Sequence, residues 1–358
     1  MGRIGETVRM SSPVTAHTAV SAEPPRVPVA EVERAVKRQF GLSGHYLPLV
    51  SERDQNFRLK ASSGDQYVVK VTSAAEPRPV SDFQIAALLH LEKVGTVPVP
   101  KVVAALDGQH SGRIEHAGNS HILRLVSYLA GEPLTSVPAN ADIARDIGGS
   151  LARLDLGLDG FAHEGENPVL LWDLQRAGEL RDLLDRIDSP DIRGSVLRAV
   201  DDYDQRVLPE LGSLHTQVIH GDANPENILV DAASGRVSGF IDFGDMVRAP
   251  LVFDVGIAAS YLRASDADAV ELIAPFVAGY HAIRPLSVAE LALLFDLARA
   301  RLATTITLLF WRLDARDRDD PYRQKTLDRE SDAIAFLNAL DELGRAAFLR
   351  ELQRAVSG

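Results

Sequence analysis

The run from Val218 to Asp245, VIHGDANPENILVDAASGRVSGFIDFGD, restricts the fold more than any other stretch of the chain. An apolar, strand-like entry ends at His220-Gly221-Asp222, and a short loop with Pro225 leads to Asn227. Two short β segments follow, Ile228-Leu229-Val230 and Val237 to Ile241, joined by a turn at Ser234-Gly235. A ribbon of this kind returns the chain to where it started, so Asp242-Phe243-Gly244 is delivered beside the loop that carries Asp222 and Asn227. Two carboxylates and an amide then share one place, a set of hard oxygen donors suited to a small divalent cation and phosphate.

Phosphoryl transfer uses such a set. One carboxylate orients the attacking hydroxyl and accepts its proton, while one Asn and one Asp hold magnesium on the nucleotide phosphates. Asp222 is the candidate for the first role, and Asn227 and Asp242 are the candidate Mg²⁺ ligands. The spacing H-x-D-x-x-x-x-N followed by D-F-G is that of the protein kinase catalytic and metal loops, except that Gly221 stands where those kinases carry Arg. No Ala-Pro-Glu signature follows Asp242; Arg248-Ala249-Pro250 leads quickly into Phe253-Asp254, which counts against a kinase acting on proteins. A nucleotide-binding pseudokinase module is the rival of another class.

These residues resemble the aminoglycoside phosphotransferase and choline kinase superfamily. The resemblance implies an α+β, two-lobed, protein-kinase-like fold with a small β-rich N-lobe and a larger, mainly helical C-lobe. It also implies a phosphotransferase with an alcohol group as acceptor, acting on small and often cationic molecules. A closer likeness is carried by Asp54-Gln55-Asn56-Phe57, Val69-Lys70-Val71, Gln84, the Leu125 to Pro133 segment and Ile241 to Met246. It is to the hydroxylysine kinase branch and to kinase domains fused to class III aminotransferases in some bacteria. That branch also places Gln where Gln84 stands, and hydroxylysine kinase uses GTP, so the resemblance implies ATP or GTP as co-substrate and 5-hydroxylysine or a similar amino alcohol as acceptor. Aminoglycosides, choline or ethanolamine, and homoserine remain alternatives. His220 is expected to hold the loop backbone, and Asp254 is similar to the superfamily aspartate that braces the catalytic loop from below.

Residues 1–28, rich in Pro, Ser, Thr, Val and Ala, are expected to be a flexible tail. The N-lobe is expected over 29–130 and the C-lobe over 131–358. Val32, Ala35, Val36 and Phe40 share a helical face that Gly41 ends. Strands are expected over Tyr46 to Glu52, Asn56 to Ala61, Gln66 to Thr72, Lys101 to Leu106 and Ser120 to Tyr128, with a hinge from Leu125 to Gly131. Lys70, flanked by apolar residues in the third strand, reads with the downstream HGD and DFG as the lysine on the α/β-phosphates. The loop before it has no glycine, so Ser51, Gln55 and Asn56 are the candidates for covering the phosphates. Gln84, on the following helix, is expected to orient Lys70 by hydrogen bond. Beyond Pro138 the pattern is helical. Stripes such as Ile143, Ile147, Leu151 and Leu154 recur, with further runs over 170–187, 192–210, 253–262, 267–280, 288–311 and 325–353.

Asp245, Glu226 and Asp173 are the acids nearest the motif and the candidate contacts for a cationic acceptor. The formal net charge of −12 argues against a nucleic-acid partner. The chain has no cysteine, which removes disulfides, thiolate metal sites and cysteine catalysis and fits a reducing cytoplasm. Its most apolar helix, Leu291 to Trp311, is interrupted by Asp296, Arg299 and Arg301, too polar to span a bilayer, so no membrane partner is expected.

Overall fold

The computed structural model describes residues 24–51, 53–263, 268–314 and 321–357. The chain divides into two compact units: Met1–Ser81 with Val102–Tyr128 and Val169–Leu171, and Asp82–Lys101 with Leu129–Pro168 and Trp172–Gly358. The first holds an antiparallel sheet and the second is mainly helical, as the α+β reading requires.

In the first unit, helix α1 (Val29–Phe40) buries Val32, Ala35, Val36 and Phe40, the face its periodicity marks, and Gly41 ends it at φ 72°. Strands β1 (Gly44–Leu49), β2 (Gln55–Ala61), β3 (Gln66–Val71), β4 (Gly112–His116) and β5 (Asn119–Ser127) form one sheet in the order β1-β2-β3-β5-β4. Register fixes its two faces, because successive strand side chains point to opposite sides. Phe57 lies opposite Val69, which lies opposite Leu125, and these pack with Val32 and Val36 in the core. Asn56, Lys70 and Arg124, one residue along, form a row on the other face.

Three expectations shift here. The tail boundary moves: residues 1–23 lie outside the described residues, but Val27 is 2% exposed, so ordered chain begins before Val29. No strand runs over Lys101 to Leu106. Val102 makes a single bridge to Val126, and the Ala105 and Gly108 amides bond within a turn. The outer strand is instead β4, five residues long with Ile114 the buried one, too short to show a period. The hinge segment is also partly strand, since Leu125 to Ser127 complete β5.

Helix α2 (Arg78–Val94) crosses the boundary between the units. Its later part packs with the helical unit, where Phe83 stacks on Phe161 with ring centroids 6.1 Å apart and the Gly157 carbonyl lies 2.9 Å from His90 Nε2. The 29–130 division therefore gives way: residues 82–101 group with the second unit.

The second unit continues with β6 (Glu132–Pro133), helix α3 (Ala141–Gly157), a run of 3₁₀ turns over Leu174–Arg186 and helix α4 (Pro190–Arg206). Then come β7 (Thr216–Ile219), β8 (Ile228–Asp231), β9 (Arg236–Phe240), β10 (Val247–Pro250) and helices α5 (Val252–Ala259), α6 (Ile273–Ile283), α7 (Val288–Asp314), α8 (Pro321–Leu343) and α9 (Arg345–Ser357). Asn140 caps α3 by accepting from the Asp142 and Ile143 amides. Helices α3 and α6 touch backbone to backbone: a Cβ on Gly148 would stand 1.9 Å from the Phe276 carbonyl oxygen, and one on Gly279 2.0 Å from that of Arg145. The expected helix over 325–353 is two, broken at Gly344 with φ 75°. Among the described residues no helix is long and apolar enough to cross a membrane.

Candidate active site

Strand β7 leads into His220-Gly221-Asp222, and β8 and β9 pair antiparallel to bring Asp242 back to the same loop. The Ile241 amide donates to the Asn227 carbonyl at 2.9 Å, closing the ribbon at its open end. The loop is braced from beneath by Asp254 of α5, which is fully buried. Its Oδ2 accepts the His220 N–H at 3.0 Å and its Oδ1 the Gly221 N–H at 2.8 Å.

His220 is an internal strut. Its Nδ1 accepts the Asp222 N–H at 3.3 Å, which leaves the proton on Nε2, 3.1 Å from the Ile241 carbonyl. Its ring meets Phe243 edge-on at 4.9 Å. Gly221 has φ 76°, and a Cβ there would lie 2.6 Å from the Asp245 carbonyl oxygen. An arginine at this position does not fit this backbone.

Asp222 is held on both oxygens. Oδ2 accepts from Asn224 Nδ2 at 2.8 Å and Asn227 Nδ2 at 3.0 Å, and Oδ1 accepts from Arg301 Nη2 at 2.8 Å. Burial pushes its carboxyl up to about 8; Arg301 opposes this, while the charges of Asp245 and Asp242 add to it. The upward push comes from desolvation and crowding by like charge, both of which a bound cation would relieve. Asn227 also donates Nδ2 to the Asp222 carbonyl at 2.9 Å. With its nitrogen committed to Asp222, its amide oxygen is the atom left to face a cation. Asp242 sits at φ 57°, ψ 75°, a left-handed conformation that non-glycine residues adopt sparingly and that clusters at functional sites. Among the described residues no three His, Cys, Asp or Glu side chains gather as a metal cage. One amide and one carboxylate oxygen suit magnesium that keeps phosphate and water oxygens in its shell.

The other candidates fall into place unevenly. Asp245 lies close enough to act on both Asp222 and Arg301. Asp173 caps the 3₁₀ run, accepting the Gln175 N–H at 3.0 Å; burial raises its carboxyl, and Arg301 is among the cations opposing that. Glu226 is exposed, its amide bonded to Asn224 Oδ1 at 2.8 Å. Gln84, 4% exposed, donates Nε2 to the Gly244 carbonyl at 3.4 Å, so its amide reaches the Asp242-Phe243-Gly244 turn.

In the sheet unit, Lys70 stands between Asn56 and Arg124 in one cross-strand row. Asn56 Oδ1 is buried without a donor among the described residues, and Arg124 Nη2 lies 3.7 Å from Asp54 Oδ2. Ser51 lies in the coil between β1 and β2. Gln55 is corrected. Strand alternation turns it to the α1 side, where Oε1 accepts the Val27 N–H at 2.8 Å and Nε2 donates to the Val27 carbonyl at 3.0 Å. Both ends of its amide are spent on the N-terminal strap, which removes it from the phosphate-covering set.

Arg301 was not anticipated at the site. Its signal was present, as a cation inside the most apolar helix of the chain, but a charge in such a helix does not say which loop it meets.

Residues 45–302 match the phosphotransferase enzyme family, APH. A hydroxylysine kinase from Danio rerio is 26% identical over 335 residues, covering 90% of this chain and 93% of that one. A homoserine kinase from Neisseria meningitidis serogroup B is 29% identical over 242 residues, 67% of this chain and 73% of its own. Among solved structures, a microcompartment-associated aminopropanol kinase superposes with a TM-score of 0.69 at 19% identity, over 92% of this chain and 99% of that one. The amicoumacin kinase hAmiN, in complex with AMP-PNP, Ca²⁺ and Ami, gives 0.67 at 18% identity over 88% and 94%. The structural matches establish a kinase-like fold, and the span of the family match establishes the rest: this chain belongs to the APH phosphotransferase family and is a small-molecule kinase.

Proposed function

We propose that the chain transfers the γ-phosphate of ATP or GTP to the hydroxyl of a cationic amino alcohol, with 5-hydroxylysine the leading acceptor. The observation that carries this reading is the Asp222 carboxylate, anchored by Asn224, Asn227 and Arg301 beside Asp242 and Asp245. Asp222 takes the proton of the acceptor hydroxyl as its oxygen bonds to the γ-phosphorus and the bond to the β-phosphate oxygen breaks. The proton then passes to solvent, leaving nucleoside diphosphate and a phosphate monoester. Asn227 and Asp242 are the residues to hold Mg²⁺, which would neutralise charge on the phosphates. Lys70 would contact the α/β-phosphates, with Asn56 and Ser51 nearby on the same unit and Gln84 as a further polar group.

Support for the acceptor comes from chemistry common to the relatives. Hydroxylysine and homoserine are both α-amino acids with a side-chain hydroxyl, and hydroxylysine kinases match over most of both chains. Asp245, Asp173 and Glu226 would meet the cationic group, with Asp245 first because it acts electrostatically on Asp222. Homoserine is the second reading, supported by relatives at 29% identity over shorter spans. The absence of cysteine fits a cytoplasmic reaction.

The test is a panel of 5-hydroxylysine, homoserine, ethanolamine, choline and an aminoglycoside, each with ATP and with GTP and Mg²⁺. Phosphorylation of 5-hydroxylysine with the highest kcat/KM is the expected result. A higher value for a non-amino-acid acceptor overturns the acceptor. Nucleotide-dependent binding of a protein partner without transfer to any acceptor overturns the enzymatic reading in favour of a pseudokinase module.

A further inference from the structure

We propose that Arg301 is a positioning residue for phosphate transfer: its guanidinium fixes the Asp222 carboxylate so that one lone pair of Oδ1 is left for the acceptor hydroxyl. The inference rests on the reading of Asp222 as the proton acceptor.

Arg301 lies in the middle of α7, whose other side chains at Leu294, Leu297, Ala298, Leu302 and Ile306 are buried and apolar. It is itself 5% exposed. Removing a guanidinium from water is costly unless its donors are used with good geometry. All three nitrogens of Arg301 donate. Nη1 reaches the Trp172 carbonyl at 3.0 Å, Nε reaches Tyr261 Oη at 3.3 Å, and Nη2 reaches both Tyr261 Oη at 3.1 Å and Asp222 Oδ1 at 2.8 Å. Two neutral acceptors on separate segments set the plane of the guanidinium, and its ion pair goes to Asp222.

Counting acceptor sites gives this contact its meaning. A carboxylate has about four lone-pair directions, two on each oxygen. On Asp222, Oδ2 already accepts two amide donors, from Asn224 and Asn227. Oδ1 accepts one, from Arg301. Among the described residues one direction remains, on Oδ1, and Arg301 decides where it points. A cation on that oxygen weakens it as a base, which would be a poor bargain if base strength governed the rate. In phosphoryl transfer through a loose transition state, orientation of the hydroxyl matters more than early removal of its proton.

The same helix supplies a control. Arg299, 3% exposed, pairs with Asp202 and Asp341 and, among the described residues, has no hydrogen bond or ion pair to the catalytic loop. If burial of charge in α7 were only structural, variants at 299 and 301 would behave alike.

The experiment compares Arg301→Met, Arg301→Ala, Arg301→Lys and Arg299→Met. Two readouts separate this inference from the assignment of function. The first is the crystal structure of Arg301→Met. Asp222 is expected to leave its present orientation, and this can be judged even if the wild type phosphorylates no tested acceptor. The second is steady-state kinetics with ATP and 5-hydroxylysine. Arg301→Met should lower kcat about 100-fold, the order expected for a misplaced reacting group, with the KM for ATP unchanged. Arg301→Lys, which can reach one acceptor but not three, should fall between, and should also report if the Met variant does not fold. Millimolar guanidinium should restore part of the turnover of Arg301→Ala, and Arg299→Met should lose stability while keeping its kcat. An unmoved Asp222 with wild-type kcat in Arg301→Met overturns the proposal, as does a loss of stability with no change in kcat. A wild type inactive on every acceptor, with Asp222 displaced in Arg301→Met, overturns the function while leaving the positioning contact standing.

Discussion

The carboxylate of Asp254 lies directly beneath Gly221, with Oδ1 2.8 Å from the Gly221 amide and Oδ2 3.0 Å from that of His220. Two backbone donors of the catalytic loop, both buried, therefore depend on one side chain. Asp254→Ala strands both. An unsatisfied buried donor costs about 1–3 kcal/mol, so stranding two predicts a loss of about 2–6 kcal/mol in urea unfolding, together with reduced kcat. Asp254→Leu or Ala with an unshifted midpoint would show that the loop does not hang on this contact.

Gly221 carries the second prediction. Its φ of 76° disfavours any side chain by about 1–2 kcal/mol, and a Cβ would stand 2.6 Å from the Asp245 carbonyl oxygen. Gly221→Ala should therefore lower stability by about 2 kcal/mol and reduce turnover, because relief requires moving either Asp222 or Asp245. Gly221→Arg, which restores the residue of protein kinases, should be worse. A stable, active Gly221→Arg would show that the loop adopts another backbone.

For Asp222→Asn, loss of the accepting carboxylate should reduce kcat about 10²- to 10⁴-fold while nucleotide binding, measured by calorimetry with AMP-PNP, is retained. Arg301 and the amides of Asn224 and Asn227 would still have an oxygen to meet in part, so the fold should hold. Unchanged turnover in this variant removes Asp222 from the reaction.

Lys70→Ala deletes the central cation of the row Asn56-Lys70-Arg124. A charge-assisted hydrogen bond to phosphate contributes about 1.5–3 kcal/mol, so nucleotide KM should rise, or kcat fall, about 10- to 100-fold. Wild-type kinetics would place the nucleotide elsewhere.

Much of this arrangement could be read from local pattern. The strand patterns over 56–61 and 66–72 placed β2 and β3 within a residue or two, and the stripe Ile143, Ile147, Leu151, Leu154 is buried in α3 as its period requires. The catalytic loop was legible because its ribbon is local: β8 and β9 are separated by four residues, so their pairing follows from the turn alone. What escaped depends on partners distant in sequence. Nothing in Asp54-Gln55-Asn56 tells Gln55 to bond Val27, 28 residues upstream, and nothing in α7 tells Arg301 to reach Asp222, 79 residues away. The break at Gly344 was missed because apolar periodicity resumes beyond it, and only the positive φ marks the end of α8.

The last prediction concerns protons beneath the site. Asp155 of α3 is fully buried; Oδ2 accepts from Tyr280 Oη at 2.6 Å, Oδ1 has no donor among the described residues, and the side chain interacts with the Asp254 carboxylate. Burial first, and then the charge of Asp254, hold the Asp155 carboxyl well above the usual carboxylate range, and burial raises Asp254 as well, so the pair favours keeping a proton, with His220, Tyr280 and Arg284 the other groups facing it. In the unfolded chain Asp155 ionises at the ordinary value. Between that value and the raised one the native state therefore binds the extra proton, and stability from this group falls as pH rises, by up to about 1.4 kcal/mol per pH unit. Asp155→Asn keeps a donor toward Asp254 and an acceptor for Tyr280 but cannot titrate. Its stability relative to the wild type should increase as pH rises above the ordinary carboxylate range in urea unfolding. Parallel stability curves for the two proteins above that range would mean that Asp155 carries no proton in the folded enzyme.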